Sequence, residues 1–425
     1  MGFAKVIIIG GGFGGLNAAK NLAKAPVDIL LLDKTNHHLF QPLLYQVATA
    51  TISPGNIAAP LREILAKQDN TTILLAHIAK VDKERKEVIA GNEEVFKYDY
   101  LIIATGARHS YFGHPEWEEK APGLKTINDA LRIRDRVLIS YERAERSDSL
   151  TQAMRFLRFI IIGGGPTGVE LAGAIGEIAH KTLISDFKHF KSQHSRIYLI
   201  EGTGQILPSF PKVLADKAQE DLEKLGVEVL LKTMVTNVTS EGVWIGEKFL
   251  EGPNIFWAAG NEASKLIKTL NIPLDRMGRA IVNPDLTIPD HPEIFVIGDA
   301  ACCQSGNGNP LPGIAPVAIQ QGKYVANIIK SKISPDQRKP FVYRDKGMMA
   351  TIGKAKAIAV IKNIKISGFV AWLSWCFIHL LYIVSFTNRT HVILQWFNTF
   401  ITNKRRVRII TRPVSDNEES LHKDL

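Results

Sequence analysis

Two glycine-rich loops, each directly after a run of apolar residues, constrain the fold of this chain more than any other feature. The first loop is Gly10-Gly11-Gly12-Phe13-Gly14-Gly15, and the second is Gly163-Gly164-Gly165-Pro166-Thr167-Gly168. Both match the spacing G-x-G-x-x-G, which binds the pyrophosphate of a dinucleotide when a buried strand precedes it and a helix follows. Two matches in that context predict two α/β dinucleotide-binding domains.

The three motif glycines of each loop have different physical tasks. The first permits a tight turn, the second lets the backbone approach a pyrophosphate, and the third allows the helix to pack closely on the strand. The helix N-terminus then offers unpaired N–H groups and a positive dipole to the phosphates. The loop residues predicted to bind the first dinucleotide are Gly10, Gly12, Phe13, Gly14 and Gly15. Those predicted to bind the second are Gly163, Gly165, Pro166, Thr167 and Gly168.

An acidic residue ends the next predicted strand after each loop. Asp33, which Lys34 follows, ends the strand predicted for residues 27–32, and Glu201 ends the strand predicted for residues 197–200. A carboxylate at this point accepts hydrogen bonds from ribose hydroxyls. Because a carboxylate also repels a 2′-phosphate, Glu201 predicts that the second site prefers NADH to NADPH. Asp33 and Lys34 are assigned to the first site.

Apolar runs predict the other strands, and the order strand, glycine loop, helix, strand occurs twice. Residues 37–60 show no clear periodicity, and we interpret them as a loop with short helical turns. The strands are predicted at residues 5–9, 27–32, 73–75, 88–89, 101–104, 159–162, 197–200, 254–256 and 294–297. The helices are predicted at residues 16–24, 169–180 and 316–330.

Turns of small residues after other predicted strands are further candidates for cofactor contacts. They are Ala104, Thr105 and Gly106 in the first half, Ala259 and Gly260 at the equivalent place in the second half, and Gly298 and Asp299 late in the chain. Each turn of this kind can also simply end a strand. Asp299 can bind the ribityl chain of a flavin nucleotide, or it can cap a helix.

Three polar residues on predicted helices have two interpretations each. Glu170 lies in the first turn of the helix after the second loop, where its carboxylate either faces the helix dipole or lies over the rings of bound cofactors. Gln320 and Gln321 lie on a helix rich in small residues. Glutamines in such a helix are more often exposed to solvent than functional.

The composition is that of a folded globular protein of two or three domains, with 45% hydrophobic and 22% charged residues in 425. The net charge of +10 suits nucleic acid, an anionic membrane surface or anionic cofactors. We predict no nucleic-acid partner. Part of the positive charge forms a cluster near the end of the chain, at Lys404, Arg405, Arg406, Arg408 and Arg412.

The three cysteines, Cys302, Cys303 and Cys376, include no C-x-x-C pair, so neither a zinc site nor a dithiol redox motif is supported. The adjacent pair is predicted to consist of small buried residues. His37 and His38 lack partners at metal-ligand spacing, and no metal is predicted. The first predicted strand begins almost at the N-terminus, so we expect no signal peptide and a reducing compartment.

The last part of the chain is apolar and then basic. Residues 367–388 contain no Asp, Glu, Lys or Arg, and a shorter apolar stretch follows at residues 392–400. The first stretch is long enough to span a bilayer, but it contains His379, which is costly inside a membrane. Interface-type aromatic residues and the basic cluster favour an anchor that lies in one leaflet. A dimerisation helix is the other interpretation.

Longer strings of the sequence resemble the type II NADH dehydrogenases, which are non-proton-pumping NADH:quinone oxidoreductases with two dinucleotide-binding domains. The resemblance covers about residues 4–412. The matching strings are HHLFQPLLYQVAT at residues 37–49, GPTGVELAG at 165–173, MATIG at 349–353, and residues 368–373 and 379–382 together with Asn388-Arg389.

This resemblance implies FAD in the first domain, NADH in the second, and a quinone that is reached from the membrane side. It implies that Glu170 lies near the nicotinamide and the flavin, and that Gln320 lies at the quinone end of the flavin. The family motif A-Q-x-A-x-Q begins here at Ala315, which is assigned to FAD, and its first glutamine is Pro316. Thr49, Pro316 and Gln320 are assigned to the quinone.

The predicted fold is an α/β protein with two Rossmann-like dinucleotide-binding domains plus a C-terminal amphipathic helical membrane anchor. Residues 1–115 and 286–345 are predicted to form the FAD-binding domain, 116–285 the NADH-binding domain, and 346–425 the membrane-association region. The predicted activity transfers hydride from NADH to FAD and two electrons to the quinone pool, without proton pumping. We expect a homodimer, monotopic on the cytoplasmic face of the cell membrane.

Two other functions fit the same residues. One is a soluble NAD(P)H-dependent flavin reductase for another acceptor, in which the C-terminal region serves for dimerisation. The other is a non-enzymatic, NADH-sensing membrane protein that keeps a flavin fold. Activity that survives deletion of the C-terminal region favours the first, and tight NADH binding without flavin reduction favours the second.

Overall fold

The structure, a computed structural model, describes residues 2–306 and 308–411, which form two compact units of three chain segments each. The first unit comprises residues 2–39, 58–110 and 261–346. The second comprises residues 40–57, 111–260 and 347–411. Arg412 of the predicted basic cluster and the polar tail after it lie outside the described residues.

These units differ from the predicted domain boundaries at residues 115, 285 and 345. The first unit resumes already at Asn261, and residues 40–57 belong to the second unit although they lie early in the sequence. The reason is that the helix Leu44–Ala48 packs against the helices Ile127–Glu145 and Pro166–Glu177. Residues 347–411 also belong to the second unit rather than forming a separate region.

The first unit contains a six-stranded sheet in which the strand Ala4–Ile9 is buried. Its residues Val6 to Ile9 are at most 4% exposed, which explains the continuous apolar run in the sequence. All neighbouring strands are parallel except one antiparallel pair at an edge. The order across the sheet is Thr287–Ile288, His291–Val296, Tyr100–Ile103, Ala4–Ile9, Val27–Asp33 and Thr71–Leu75.

Two helices of the first unit, Phe13–Asn21 and Ala315–Lys330, pack closely against each other. A Cβ atom on Gly322 would lie 2.3 Å from the carbonyl oxygen of Gly14. The contact therefore requires a glycine. The unit also contains the helix Leu61–Ile64 and the short strands His37–Leu39, Ala58–Pro60, Ile78–Asp82, Glu87–Ala90, Val95–Lys97, Ala107–His109, Asn261–Ala263, Ala280–Ile281 and Ala301–Cys302.

The second unit repeats the parallel strand, glycine loop and helix arrangement in a four-stranded sheet. The order across this sheet is Val227–Leu230, Arg196–Ile200, Arg158–Ile162 and Asn254–Trp257. Its helices are Leu44–Ala48, Trp117–Lys120, Ile127–Glu145, Leu150–Phe156, Pro166–Glu177, Lys212–Glu223, Gly368–Tyr382 and Phe386–Thr402. Its other strands are Asn237–Val238, Gly242–Ile245, Lys248–Glu251, Met348–Thr351, Ala357–Ile361 and Ile364–Ser367.

Two kinds of sequence prediction need correction. The helices predicted at residues 16–24 and 169–180 begin three residues earlier, at Phe13 and Pro166, because the last glycine of each loop already lies inside the helix. The second helix is followed by a π-helical segment, Ile178–Thr182. Residues 37–60 are more ordered than predicted. The strand His37–Leu39 pairs with the strand Ala58–Pro60, and the helix Leu44–Ala48 lies between these strands in the sequence.

The apolar C-terminal region forms two helices, Gly368–Tyr382 and Phe386–Thr402, here called the C-terminal helix pair. The first helix packs on the sheet formed by Met348–Thr351, Ala357–Ile361 and Ile364–Ser367. Within residues 2–306 and 308–411, no helix combines the length and the apolar character needed to cross a membrane. The helix pair leaves many large apolar side chains exposed, among them Phe377 and Phe397.

Candidate functional site

The first glycine loop has the geometry of a pyrophosphate cradle. Gly10 has a φ of 103°, and a Cβ atom there would lie 2.4 Å from the carbonyl oxygen of Ala104. A Cβ atom on Gly15 would lie 1.9 Å from the carbonyl oxygen of Gly10, so helix and loop meet there. Beside Gly12, in contrast, no described heavy atom lies within 4 Å of the Cβ position. The open space at Gly12 is where a phosphate can approach the backbone.

The second glycine loop repeats this geometry. Gly163 has a φ of 109°, and a Cβ atom on Gly168 would lie 1.8 Å from the carbonyl oxygen of Gly163. The Cβ position of Gly165 again has no described heavy atom within 4 Å. Among the described residues no side chain caps either helix that starts at Phe13 or Pro166. Both helix N-termini therefore keep N–H groups available for an anion.

The two acidic residues hold their loops in the same way. One carboxylate oxygen of Asp33 accepts from the backbone N–H of Gly11, and the other accepts from that of Thr35 at 2.6 Å. Glu201 accepts from the N–H of Gly164 at 2.7 Å and from that of Thr203 at 2.8 Å. Each carboxylate thus lies beside its glycine loop, where the ribose of a dinucleotide is bound. Lys34 is exposed next to Asp33.

An unpartnered hydroxyl supports a ligand site in the first unit. The turn Ala104-Thr105-Gly106 crosses behind Gly10, and the buried Thr105 Oγ1 has no hydrogen-bond partner among the described residues. A buried hydroxyl without a partner is costly, and a bound polar ligand removes that cost. The first unit therefore fits a dinucleotide. In the second unit, Ala258 crosses behind Gly163 in the same manner, and Ala259 and Gly260 follow it.

Gln321, which the sequence analysis did not distinguish from Gln320, is buried beside the turn at Gly298. It is 1% exposed, and its Oε1 accepts from the backbone N–H of Gly298 at 2.7 Å. This bond fixes the turn that carries Asp299, whose carboxylate lies beside Gly313. The expectation of a solvated glutamine is wrong for Gln321. No local pattern distinguishes it from its neighbour Gln320, because only its tertiary contact with the turn is informative.

Gln320 is bound to the backbone of its own unit. Its Nε2 donates to the carbonyl of Arg344 at 2.9 Å, and its Oε1 accepts from the N–H of Arg344 at 3.0 Å. Ala315 and Pro316 form the start of the same helix. These three residues lie in the first unit, and Thr49 lies in the second. The assignment of Thr49, Pro316 and Gln320 to a quinone stays a prediction.

Glu170 faces a cavity of about 80 Å³ in the second unit, here called the Glu170 cavity. Burial raises the pKa of Glu170 to about 8, although the backbone N–H of Thr351 opposes this shift by donating to the carboxylate. The carboxyl is therefore mostly protonated at neutral pH, in contrast to an exposed first-turn carboxylate. Other residues that line the cavity include Tyr45, Gln46, Ala174, Glu177, Lys354, Trp372, Trp375, Cys376, Trp396 and Arg405.

A chain of hydrogen bonds runs along the wall of the Glu170 cavity. Trp396 Nε1 donates to Gln46 Oε1 at 2.7 Å, and Gln46 Nε2 donates to the Tyr45 hydroxyl at 3.0 Å. The Tyr45 hydroxyl is 2.9 Å from the hydroxyl of Thr351. Burial and the nearby Glu170 raise the pKa of Tyr45, so that its phenol stays neutral. Four polar groups thus connect the C-terminal helix pair with the peptide next to Glu170.

Gly173 explains how the strand Met348–Thr351 comes so close to Glu170. A Cβ atom on Gly173, one helical turn after Glu170, would lie 3.2 Å from the carbonyl group of Ile352. A larger side chain would displace this peptide and with it the N–H of Thr351. The strings GPTGVELAG and MATIG of the sequence therefore meet in space.

The cysteines of this chain are all free thiols. Cys302 and Cys303 are buried and free, as predicted for small buried residues. Burial raises the pKa of the Cys376 thiol to about 12, which keeps it protonated. Within residues 2–306 and 308–411, no group of three His, Cys, Asp or Glu side chains is arranged to hold a metal ion.

Comparison with known proteins identifies the class of this protein. A model of the pyridine nucleotide-disulphide oxidoreductase family matches residues 4–322, and the chain belongs to this family. The fold is also that of NDH2 from Plasmodium falciparum, solved in complex with NADH, with a TM-score of 0.87, 22% identity, and coverage of 96% of this chain and 100% of that chain.

Sequence relatives define the narrower family. The chain is 43% identical over 422 residues to the type II NADH:quinone oxidoreductase Ndh of Mycobacterium tuberculosis. The alignment covers 96% of this chain and 90% of the relative. It is 28% identical over 377 residues to the type II NADH:quinone oxidoreductase of Staphylococcus haemolyticus, with coverage of 86% and 91%. The chain belongs to the type II NADH:quinone oxidoreductases, and the resemblance seen in the sequence is confirmed.

Proposed function

We propose that this protein oxidises NADH and reduces a membrane quinone, with bound FAD as its cofactor and without pumping protons. The observation that carries the proposal is the pair of open glycine cradles, one in each unit, in a chain 43% identical to a type II NADH:quinone oxidoreductase. A protein of this design needs no bundle of membrane helices, because the electron transfer itself moves no ion across a membrane.

We assign FAD to the first unit and NADH to the second. In the first unit, the loop from Gly10 to Gly15 holds the pyrophosphate of FAD and Asp33 binds its ribose. The hydroxyl of Thr105, which has no partner among the described residues, is available to bind a polar group of FAD. Gly298 and Asp299 bind the ribityl region in this assignment. In the second unit, the loop from Gly163 to Gly168 and Glu201 take the equivalent roles. FAD, when bound, supplies the capacity to accept a hydride and to deliver two electrons.

Glu170 is the proton carrier in this proposal. Reduction of a quinone to a quinol consumes two protons, and a carboxyl with a pKa of about 8 holds a proton at neutral pH and still releases it readily. The Thr351 N–H fixes the orientation of the carboxyl. Thr49 and Gln320 are assigned to quinone contacts, and Pro316 supplies no side-chain hydrogen bond where the family motif has a glutamine.

An anaerobic absorbance titration of the detergent-purified protein tests this function. Addition of NADH should bleach the visible band of bound flavin, and addition of a quinone should restore it. Bleaching without recovery would leave an NADH-dependent flavin reductase for another acceptor. A protein that binds no flavin, even after incubation with FAD, would contradict the proposal as a whole.

Glu201 is expected to set the preference for NADH. The substitution Glu201→Gln keeps an acceptor for only one of the two N–H groups, of Gly164 or of Thr203, and removes the charge, so repulsion of a 2′-phosphate disappears. We expect the ratio of kcat/KM for NADH over NADPH to fall about tenfold, in line with an electrostatic contribution of about 1.4 kcal/mol. Steady-state rates with both nucleotides measure it. Glu228→Gln, an exposed charge removal on a neighbouring strand, is the control, and an equal ratio in both variants would refute the assignment.

We also propose that the C-terminal helix pair anchors the protein in one leaflet, on the cytoplasmic face of the cell membrane, and that the protein is a homodimer. The support for the anchor is the exposed apolar surface of both helices. It includes Phe369, Val370, Leu373, Phe377 and Leu381 on the first helix and Phe386, Leu394, Phe397 and Ile401 on the second. Lys404 and Arg406 are exposed directly after the second helix, where they suit anionic headgroups.

The double substitution Phe377→Asp with Phe397→Asp should lower vesicle binding by about tenfold or more, because it places two charges in the apolar surface. NADH oxidation with the water-soluble acceptor ferricyanide should be unchanged. Sedimentation with vesicles of phosphatidylethanolamine and phosphatidylglycerol measures the binding. The control is Val213→Asp with Val342→Asp, two equally exposed apolar residues outside the helix pair. Equal binding of both variants would exclude the anchor.

A further inference from the structure

Arg405 is the one buried residue among the described residues 401–411. It follows the helix Phe386–Thr402, which ends at Asn403 with a φ of 55°. Arg405 is only 4% exposed, although its neighbours Lys404 and Arg406 are exposed. Arginine is rarely buried without a specific partner. The position of this side chain therefore needs a reason beyond the basic character of the segment.

The guanidinium of Arg405 connects two elements of the second unit. Its Nη1 donates to the backbone carbonyl of Thr49 at 2.6 Å, and its Nη2 donates to Glu177 Oε2 at 3.2 Å. The other oxygen of Glu177 accepts from the backbone N–H of Lys354 at 2.6 Å. Hydrogen bonds between charged groups are stronger and more directional than neutral ones. Arg405 thus joins the end of the C-terminal helix pair to Thr49 and, through Glu177, to Lys354.

The short helix before Thr49 has a second contact with the C-terminal helix pair. Trp396 donates to Gln46, which lies in the helix Leu44–Ala48, and Thr49 follows this helix directly. The Thr49 side chain is 1% exposed, and its hydroxyl donates to the carbonyl of Tyr45 at 2.8 Å. Trp396, within the second helix of the pair, and Arg405, just after that helix, therefore contact the middle of the short helix and Thr49 at its C-terminal end.

The same residues form the wall of the Glu170 cavity. Gln46, Glu177, Trp396 and Arg405 all line it together with Glu170. We propose that Arg405 is a positioning residue for the electron-acceptor half of the reaction, because it fixes the backbone of Thr49 and the wall of the Glu170 cavity. This role rests on the proposed function. Arg405 touches no reacting atom, so its loss should affect the quinone and leave NADH oxidation intact.

The substitution Arg405→Gln tests this role by comparing two acceptors. With a short-chain quinone, we expect KM to rise about tenfold while kcat changes less than about threefold. With ferricyanide, both constants should stay within about twofold of wild type, since this acceptor needs no quinone pocket. Arg405→Lys keeps the charge and donors for one of the two partners. It should restore part of the loss and give a KM for quinone about threefold above wild type.

Arg338→Gln is the matched control in the first unit. The Arg338 side chain is also 4% exposed, donates to a carboxylate, Asp285, at 3.0 Å, and donates to a backbone carbonyl, that of Pro292, at 2.8 Å. Its loss removes the same kind of buried ion pair from a different place. In the flavin-loaded control variant, we expect the ratio of KM for the quinone to KM for ferricyanide to equal that of the wild-type protein.

The outcomes separate the proposals. A rise in KM for the quinone alone, partly reversed in Arg405→Lys, supports the positioning role. Equal losses with both acceptors, or the same quinone effect in Arg338→Gln, would show that Arg405 only stabilises the fold. If Arg405→Gln binds no flavin, Arg405→Lys decides, and a wild-type KM in that variant overturns the role. Failure of the proposed function would appear separately, as no quinone reduction by the wild-type protein.

Discussion

Replacement of Glu170 by glutamine is expected to slow quinone reduction by about a hundredfold at pH 7, while flavin stays bound. Glutamine has nearly the same shape and still accepts from the Thr351 N–H, but it carries no transferable proton. Loss of a positioned proton donor typically costs 10²–10⁴-fold in rate. Stopped-flow oxidation of the NADH-reduced enzyme by a quinone measures the effect. Glu228→Gln serves as the control, and a normal rate in Glu170→Gln would disprove the role of this carboxyl.

The same substitution has an expected signature in the pH dependence of stability. Burial raises the pKa of Glu170 from an ordinary 4.5 to about 8, so the folded state holds this proton more tightly than the unfolded state does. The stabilisation is complete below the unfolded pKa and is lost as the pH rises through the folded pKa. Glu170→Gln stays neutral throughout. Its stability relative to wild type should therefore increase from about pH 5 to about pH 8 and then become constant.

Chemical denaturation at several pH values measures this difference. The comparison at about pH 3 is an internal control, because this pH lies well below the unfolded pKa of 4.5, so both side chains are neutral in the folded and the unfolded protein. The wild-type rate of quinone reduction should also fall as the pH rises through about 8, and the variant should show no such step. If the rate of quinone reduction fell with pH in the same way in the wild type and in Glu170→Gln, another titrating group would control the pH dependence of this rate.

The second large effect is expected for Gly12→Ala, which should lower FAD affinity by about a hundredfold without unfolding the protein. Gly12 has a φ of −69°, which alanine adopts without strain, and no described atom would touch the new methyl group. The methyl group instead fills the space where the backbone approaches a pyrophosphate. Fluorescence titration of the apoprotein with FAD measures the affinity, and circular dichroism confirms the fold.

Gly165→Ala is the natural partner of this variant because its backbone, with a φ of −71°, and its open surroundings are the same. It should keep FAD and raise KM for NADH by about tenfold or more. Gly15→Ala differs from both, since its methyl group would lie 1.9 Å from the carbonyl oxygen of Gly10 and should prevent folding of the first unit. If Gly12→Ala and Gly165→Ala affected the same nucleotide, the assignment of the two sites would be wrong.

The sequence predicted the two dinucleotide-binding frameworks well because their determinants are local. A buried strand, three spaced glycines and an acidic residue all lie within one strand–helix–strand unit, and their roles follow from sterics. The predicted helix starts, residues 16 and 169, lie three residues after the observed starts at Phe13 and Pro166, and the reason is equally local. Glycine has a low intrinsic helix propensity, but Gly15 and Gly168 lie inside their helices because only glycine fits the close contact with the loop.

The Glu170 cavity could not be assembled from the sequence in the same way. Its parts come from distant segments, as the bonds from Trp396 to Gln46 and from Arg405 to Thr49 demonstrate. No periodicity or spacing links such residues, and a buried arginine within a basic cluster has no distinctive pattern. The burial of Gln321 has the same kind of cause, since it depends on the tertiary contact of this side chain with the turn at Gly298.

The position of the strand His291–Val296 inside the six-stranded sheet has a consequence for biosynthesis. This strand pairs with Tyr100–Ile103, so the six-stranded sheet of the first unit is incomplete until about 190 later residues have been made. At about 5–20 residues per second, a ribosome needs roughly 10–40 seconds for that stretch. During this time the edge of Tyr100–Ile103 is without its partner strand, and early segments are open to chaperones or misassembly. We therefore expect the first unit to complete its sheet only late in synthesis.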